Sequence, residues 1–142
     1  MNRWAYVRIA LILFAGFASF FVPLGPQAVP PIDWGALLAI FVFCPIALIL
    51  VLGFQVISPR SAKVWQRPSW SLNPFNFREP LQFFHVGAYV CLAQGLVTVV
   101  RVAASSVPFY VEALVPLVMA GGIFIGLQVV MLLFSSKVEH GT

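Results

Sequence analysis

Charged residues are scarce in this chain: four Asp or Glu and eight Lys or Arg make up 8% of it. Soluble domains carry about 25% charged residues. In this chain 61% of the residues are hydrophobic, and 142 residues cannot bury so many apolar side chains in one core. The composition therefore excludes a free-standing soluble enzyme or binding domain. It predicts a single membrane domain, residues 1–142, that is surrounded by lipid.

Cysteine and histidine are also scarce, with two of each. Cys44 and Cys91 lie in separate apolar runs, which excludes a CxxC redox pair or zinc knuckle and indicates packing residues. Paired haem-ligating histidines inside the membrane are excluded because His140 lies in the hydrophilic tail, which leaves only His85. No HExxH, Walker or Rossmann pattern occurs. We therefore expect no metal, no cofactor and no enzymatic activity.

Four apolar windows are long enough for membrane-spanning helices, which need about 20 residues. They cover about residues 4–22, 35–57, 80–104 and 108–134. Asp33 is the predicted N-cap of the second helix. Pro45 and Pro116 are predicted to kink the second and fourth helices. The predicted fold is an all-α integral membrane bundle of four transmembrane helices.

The basic residues predict the orientation, because cytoplasmic loops are enriched in Lys and Arg. If all four helices cross, seven of the eight basic residues lie on the side of both termini and the loop 58–79, and only Arg101 lies opposite. The prediction is a multi-pass protein of the bacterial inner (plasma) membrane with both termini in the cytoplasm. A secretory signal is the alternative interpretation of the first window, but its apolar run, residues 9–22, is longer than most signal cores.

Small and polar residues share one side of the predicted third helix. At about 100° per residue, they fall within an arc of about 80°. This polar stripe consists of Gly87, Cys91, Gln94, Thr98 and Arg101. Bulky apolar residues occupy the opposite side, so we expect the polar stripe to face the protein interior. Two interpretations remain: hydrogen bonds that hold helices together, or a polar path or ligand site.

The fourth helix offers further packing groups. Glu112 lies across a short turn from Arg101, so we predict an ion pair between them at the outer interface. Gly122 and Gly126 form a GxxxG motif, which permits close approach of helices within the bundle or against another subunit. Gln128 extends this small and polar side.

The loop 58–79 is the only sizeable hydrophilic segment, and it combines cations with aromatic rings. Its basic residues are Arg60, Lys63, Arg67 and Arg78, and its aromatic residues are Trp65, Trp70, Phe75 and Phe77. Such a basic aromatic loop is expected at a membrane interface, with its cations on anionic lipid headgroups. Docking of a partner protein is the alternative. We do not expect binding of nucleic acid.

These patterns favour assembly over catalysis, since no acidic residue lies near the middle of an apolar window. The leading hypothesis is a structural or accessory membrane protein that engages a partner or itself through its third and fourth helices and the basic aromatic loop. The alternative is a homo-oligomeric channel or carrier for a small solute, lined by Gln94, Thr98, Arg101 and Gln128. A membrane enzyme or electron carrier acting on lipid or quinone is the third hypothesis.

Overall fold

The computed structural model describes residues 3–26, 31–57 and 83–139, which form helices and turns with no strand among them. The helices are α1 (Arg3–Ala18), α2 (Trp34–Ile57), α3 (Phe83–Ala104) and α4 (Val115–Glu139), and a 3-10 turn, Val111–Leu114, precedes α4. The all-α class is confirmed for these residues. The basic aromatic loop and residues 80–82, where the third helix was predicted to begin, lie outside the described residues.

Three stretches of helix are long and apolar enough to cross a membrane: Trp34–Leu52, Phe84–Ala104 and Val111–Val130. The first helix is shorter than predicted, since it has 16 residues. It rises only about 24 Å, which is less than the hydrocarbon core of about 30 Å. Beyond Ala18 the main-chain hydrogen bonds shorten to a three-residue spacing, as from the N–H of Phe20 to the carbonyl of Phe17. The apolar window therefore continues to Val22, but the α-helix does not.

Asp33 caps the N-terminus of α2, as predicted. Its Oδ1 accepts a hydrogen bond from the N–H of Ala36 at 2.7 Å, and its carbonyl accepts the first hydrogen bond of the helix, from Leu37. A carboxylate at this position satisfies an N–H that has no partner within the helix and also complements the helix dipole.

The fourth helix begins later than the predicted Pro108. Val111–Leu114 forms a 3-10 turn in which the N–H of Val115 donates to the carbonyl of Glu112. An α-helix would need a hydrogen bond from the N–H of residue 116 to that carbonyl, but Pro116 has no N–H. It therefore lies in the first turn of α4, where proline is well tolerated, and the predicted kink at Pro116 is replaced by a helix boundary.

The four helices pack in an open row and do not close into a ring. Within the described residues α1 packs on α3, α3 on α4 and α4 on α2, whereas α1 contacts neither α2 nor α4 and α2 does not contact α3. A core of Leu48, Leu52, Leu127 and Val130 fills the α2–α4 contact. The outer helices α1 and α2 consequently each have a single helical neighbour.

Helices that follow one another in the chain run in opposite directions, so that two of the three packed pairs are parallel. A Cβ at Gly16 of α1 would contact Ala93 and Val97 of α3, and later in both helices Arg101 contacts Ser19, so α1 and α3 are parallel. Along α2 and α4, Gly122 faces Cys44 and Gly126 faces Leu48, so this pair is parallel too. In contrast, α3 and α4 are antiparallel, since Gly95 lies against Leu117 and Tyr89 against Phe124.

Candidate functional site

A cleft of about 330 Å³ lies where the end of α3 meets the start of α4. Its polar lining comes from Thr98 and Arg101 of α3, Tyr110 of the connecting turn and Glu112 of the 3-10 turn. The chain that leaves α1 and the residue before the α2 cap complete its wall with apolar side chains, among them Val22, Leu24 and Ile32. The cleft thus gathers the ends of all four helices.

Arg101 ties the end of α1 to α3. Its Nη1 donates hydrogen bonds to the carbonyl oxygens of Ser19 and of Val22, the latter at 2.9 Å. Its guanidinium carbon also lies 5.9 Å from the centroid of the Phe20 ring, within cation–π range. Carbonyls beyond the last turn of a helix lack partners within the helix, and the negative end of the helix dipole favours a cation there. Arg101 therefore acts as a C-terminal cap for α1.

Glu112 lies in the same cleft, but the guanidinium has partners other than the carboxylate predicted for it. Among the described residues the hydrogen bonds of Arg101 go to main-chain carbonyls and none goes to Glu112. Oε1 of Glu112 instead accepts a long hydrogen bond, 3.4 Å, from the N–H of Ile32. The ion pair was predicted because the two residues are only eleven apart in the chain. In the structure, main-chain groups at the end of α1 and ahead of α2 bind these side chains, and the sequence does not show that those groups are nearby.

The polar stripe is half-buried along its whole length and is not at the centre of the helix contact. The buried side of α3 carries His85, Ala88, Gly95 and Val102 instead. His85 is only 3% exposed. At about 100° per residue the stripe lies between the side of α3 that contacts α1 and the side that contacts α4. Its last two members, Thr98 and Arg101, line the cleft.

The bulky side of α3 includes two exposed apolar residues. Leu96 is 51% exposed and Val100 is 64% exposed. Gly87, at the lower end of the polar stripe, has no atom within 4 Å of a Cβ built on it, so it borders open space. The stripe thus combines small and polar side chains with room beside them.

The GxxxG motif of α4 lies against α2. A Cβ at Gly122 would lie 3.1 Å from Cys44 Cβ and 3.2 Å from Pro45 Cδ. A Cβ at Gly126 would lie 3.1 Å from Pro45 Cα, which belongs to the main chain. Both glycines are therefore used inside the molecule, at the contact that lets α2 and α4 approach closely.

Gly95 is a packing residue that sequence reasoning missed. A Cβ there would lie 2.6 Å from Leu117 Cγ and 2.9 Å from the Leu117 main-chain nitrogen, so glycine is required where α3 crosses α4. The signal was the seven-residue spacing of Ala88, Gly95 and Val102, which repeats small or apolar side chains on one side of the helix.

The remaining predicted residues are not gathered at the cleft. Gln128 is exposed on α4, and Gln94 lies one turn below Thr98 on the polar stripe. Cys44 and Cys91 are half-buried free thiols on different helices. In residues 3–26, 31–57 and 83–139 no three His, Cys, Asp or Glu side chains come together as a metal site requires.

The cleft, the polar stripe and the two glycine contacts are the features that the described residues offer for function. Arg101 and Glu112 are the charged groups within the cleft, and both hold main-chain groups at helix ends. Comparison with protein-family models, with curated proteins and with solved structures found no match to this chain, so its function has to be inferred from its own residues.

Proposed function

We propose that this protein is an integral membrane protein with a structural or accessory role and that it is not itself a catalyst. The main observation behind this proposal is that its charged side chains bind main-chain groups at helix ends. Asp33 caps α2, Arg101 caps α1 and Glu112 holds the main chain ahead of α2. A catalytic site needs ionisable groups aimed at a substrate; here the charged groups of the cleft hold helix ends.

We further propose that all four helices cross the bacterial inner membrane, with both termini in the cytoplasm. Two observations support this orientation: the alternating helix directions, and the seven basic residues that then share the cytoplasmic side. The short α1 is the exception in length. The turn from Ser19 to Phe21 extends it, and local thinning of the bilayer accommodates the remaining mismatch at modest cost.

The partner, another membrane protein or a second copy of this chain, packs on the polar stripe of α3 and the adjoining face of α4. Gly95, Gly122 and Gly126 are already occupied inside the molecule, whereas Gly87 borders open space. A helix placed there approaches the main chain closely, and Gln94 finds an interhelical hydrogen bond worth about 0.5–1.5 kcal/mol. The basic aromatic loop adds contacts with anionic headgroups.

Purification of the full chain in a mild detergent tests this role. We expect a complex whose mass, measured by light scattering, exceeds that of one chain and whose components are identified by mass spectrometry. Gly87→Leu blocks the stripe and is expected to dissociate the complex. Leu96→Phe, on the exposed opposite side of α3, is the matched control and should leave it intact. A wild-type chain that purifies alone as a monomer contradicts the proposal.

A channel or carrier for a small solute is the second candidate, and the cleft favours it because Thr98 and Arg101 line an open space at the end of the polar stripe. Gln128 does not lie with them, so the lining would be Gln94, Thr98 and Arg101 of several copies. Solute flux into liposomes tests this candidate. Flux that is unchanged by a combined Gln94→Leu and Arg101→Ala substitution excludes that lining.

A further inference from the structure

The cleft lies at the depth where membrane lipids carry their headgroups. Arg101 is three residues before the end of the apolar stretch Phe84–Ala104, which is about 5 Å of helix. If the hydrocarbon core ends near Ala104, the cleft lies at the boundary between the acyl chains and the phosphates of the lipids. Its volume of about 330 Å³ falls at the lower end of the range for small-molecule sites.

Arg101 keeps donors for a ligand in the cleft. A guanidinium has five N–H donors, and the hydrogen bonds that Arg101 makes with the described residues all leave from Nη1. The nitrogens Nε and Nη2 form the other edge of a planar fork that matches two oxygens of a phosphate. The two carbonyls and the Phe20 ring hold the side chain in place, so little conformational freedom remains to be lost on binding.

Glu112 determines which kind of phosphate fits. A carboxylate in the same cleft repels a purely anionic ligand and attracts an ammonium group. Its position is held by the N–H of Ile32, and a carboxylate can accept several hydrogen bonds at once. A ligand that carries a phosphate and a nearby ammonium therefore complements the charges of Arg101 and Glu112.

The apolar part of the wall suits the rest of an amphiphile. Val22, Leu24, Val115 and Pro116 line the cleft beside the charged groups. We propose that the cleft binds a zwitterionic phosphate ester, with its phosphate on Arg101 and its ammonium near Glu112, as in the headgroup of phosphatidylethanolamine. This site rests on the membrane crossing proposed above, and not on the accessory role.

Native mass spectrometry of the full chain in detergent tests the site. Dioleoyl phosphatidylethanolamine, dioleoyl phosphatidylglycerol and dioleoylglycerol are each titrated at equal concentrations. We expect the ethanolamine lipid to bind about 10-fold more tightly than the glycerol phospholipid, and dioleoylglycerol to bind more weakly still. Equal binding of all three lipids overturns the proposal.

Three variants assign the binding to the cleft. Arg101→Gln should weaken binding of the ethanolamine lipid about 10- to 100-fold, since it removes a charged donor pair. Glu112→Gln should abolish the preference for the ethanolamine lipid over the glycerol phospholipid. Thr98→Phe fills the cleft and leaves both charges in place, so it keeps the test valid if Arg101→Gln does not fold.

Leu96→Phe provides the matched control, because it adds a ring on the exposed side of the same helix and should bind lipid as the wild type does. Binding that is equal in Thr98→Phe and Leu96→Phe overturns the proposal. Soluble phosphoethanolamine is added as a competitor to distinguish a site for a free phosphoamine from a site for a lipid headgroup. Full displacement of the lipid at equal concentration assigns the site to a free phosphoamine, and failure to displace it assigns the site to a lipid headgroup.

Discussion

Arg101 donates a hydrogen bond from Nη1 to the carbonyl oxygen of Val22 at 2.9 Å, across a separation of 79 residues. The contact joins the last turn of α3 to the chain that leaves α1. Because α1 packs on no other described helix than α3, this cap and one side-chain interface hold it in the row. The position of α1 is therefore sensitive to changes at residue 101.

Replacement of Arg101 by Gln should weaken the attachment of α1. The substitution removes charge-assisted hydrogen bonds to two carbonyls, and we expect a loss of about 1–2 kcal/mol in the free energy of unfolding for a half-buried group. Unfolding by SDS in mixed micelles, followed by circular dichroism, measures it. Arg101→Lys keeps the charge and should recover part of the loss; equal stability of all three proteins would contradict the cap.

A disulfide should form between α1 and α3 when Gly16 and Ala93 are both replaced by Cys in a chain with Cys44→Ser and Cys91→Ser. A Cβ at Gly16 would lie 3.7 Å from Ala93 Cβ, close to the mean separation of about 3.8 Å in disulfides. Cross-linking is read as a mobility shift on non-reducing gels. Cys at Leu96 in place of position 93 is the control, and cross-linking there to the same extent would refute the contact between Gly16 and Ala93.

Substitution of Gly126 by Ala should separate α2 from α4. The added methyl group meets Pro45 Cα at 3.1 Å and the Pro45 carbonyl oxygen at 3.3 Å, and main chain cannot give way as a side chain does. We expect a destabilisation of about 1–3 kcal/mol, measured as a lower thermal midpoint in detergent. Gly121→Ala meets Phe41 only at 3.7 Å and should be neutral or stabilising. A reversed order of the two midpoints would argue against this contact.

Gly95 and Gly87 of α3 should respond in opposite directions to alanine. At Gly95 the methyl group would overlap Leu117, including its main-chain nitrogen at 2.9 Å, so we expect a loss of about 1–3 kcal/mol. At Gly87 it meets nothing within 4 Å, and removal of a helical glycine should stabilise the protein by about 0.5–1 kcal/mol. Thermal midpoints of both variants in the same detergent test the pair, and a shift of the same sign in both is the contrary result.

Reporter fusions should establish the number of crossings. A fusion after Ser61 and one at the C-terminus should both report a cytoplasmic location, and a fusion after Pro26 should report the opposite side. Phosphatase and fluorescent-protein reporters give reciprocal signals for each site. A cytoplasmic signal at Pro26 would mean that α1 lies at the membrane surface and does not cross, and a periplasmic signal at either of the other sites would break the four-span topology.

Some features of the fold could be predicted because they depend on neighbouring residues. The Asp33 cap is an example, since its carboxylate and the N–H that it accepts belong to residues three apart. The end of α1 could not be placed in this way. Its apolar residues continue beyond Ala18, but the helix unwinds before Pro23, where Arg101 binds the exposed carbonyls. The residues around Ala18 contain no signal of a charged partner 79 residues away.

The amino-acid sequence by itself predicted an all-α chain with helices long and apolar enough to cross a membrane, and the described residues contain three such helices. A main chain surrounded by hydrocarbon must satisfy its own hydrogen bonds, and helices of this length achieve that locally. Only the tertiary structure decided that the helices form an open row, that Gly95 marks a close crossing and Gly126 packs on α2 inside the molecule, and that Arg101 binds Val22 and not Glu112. Those choices depend on which helix faces meet, and packing between residues distant in the chain decides this.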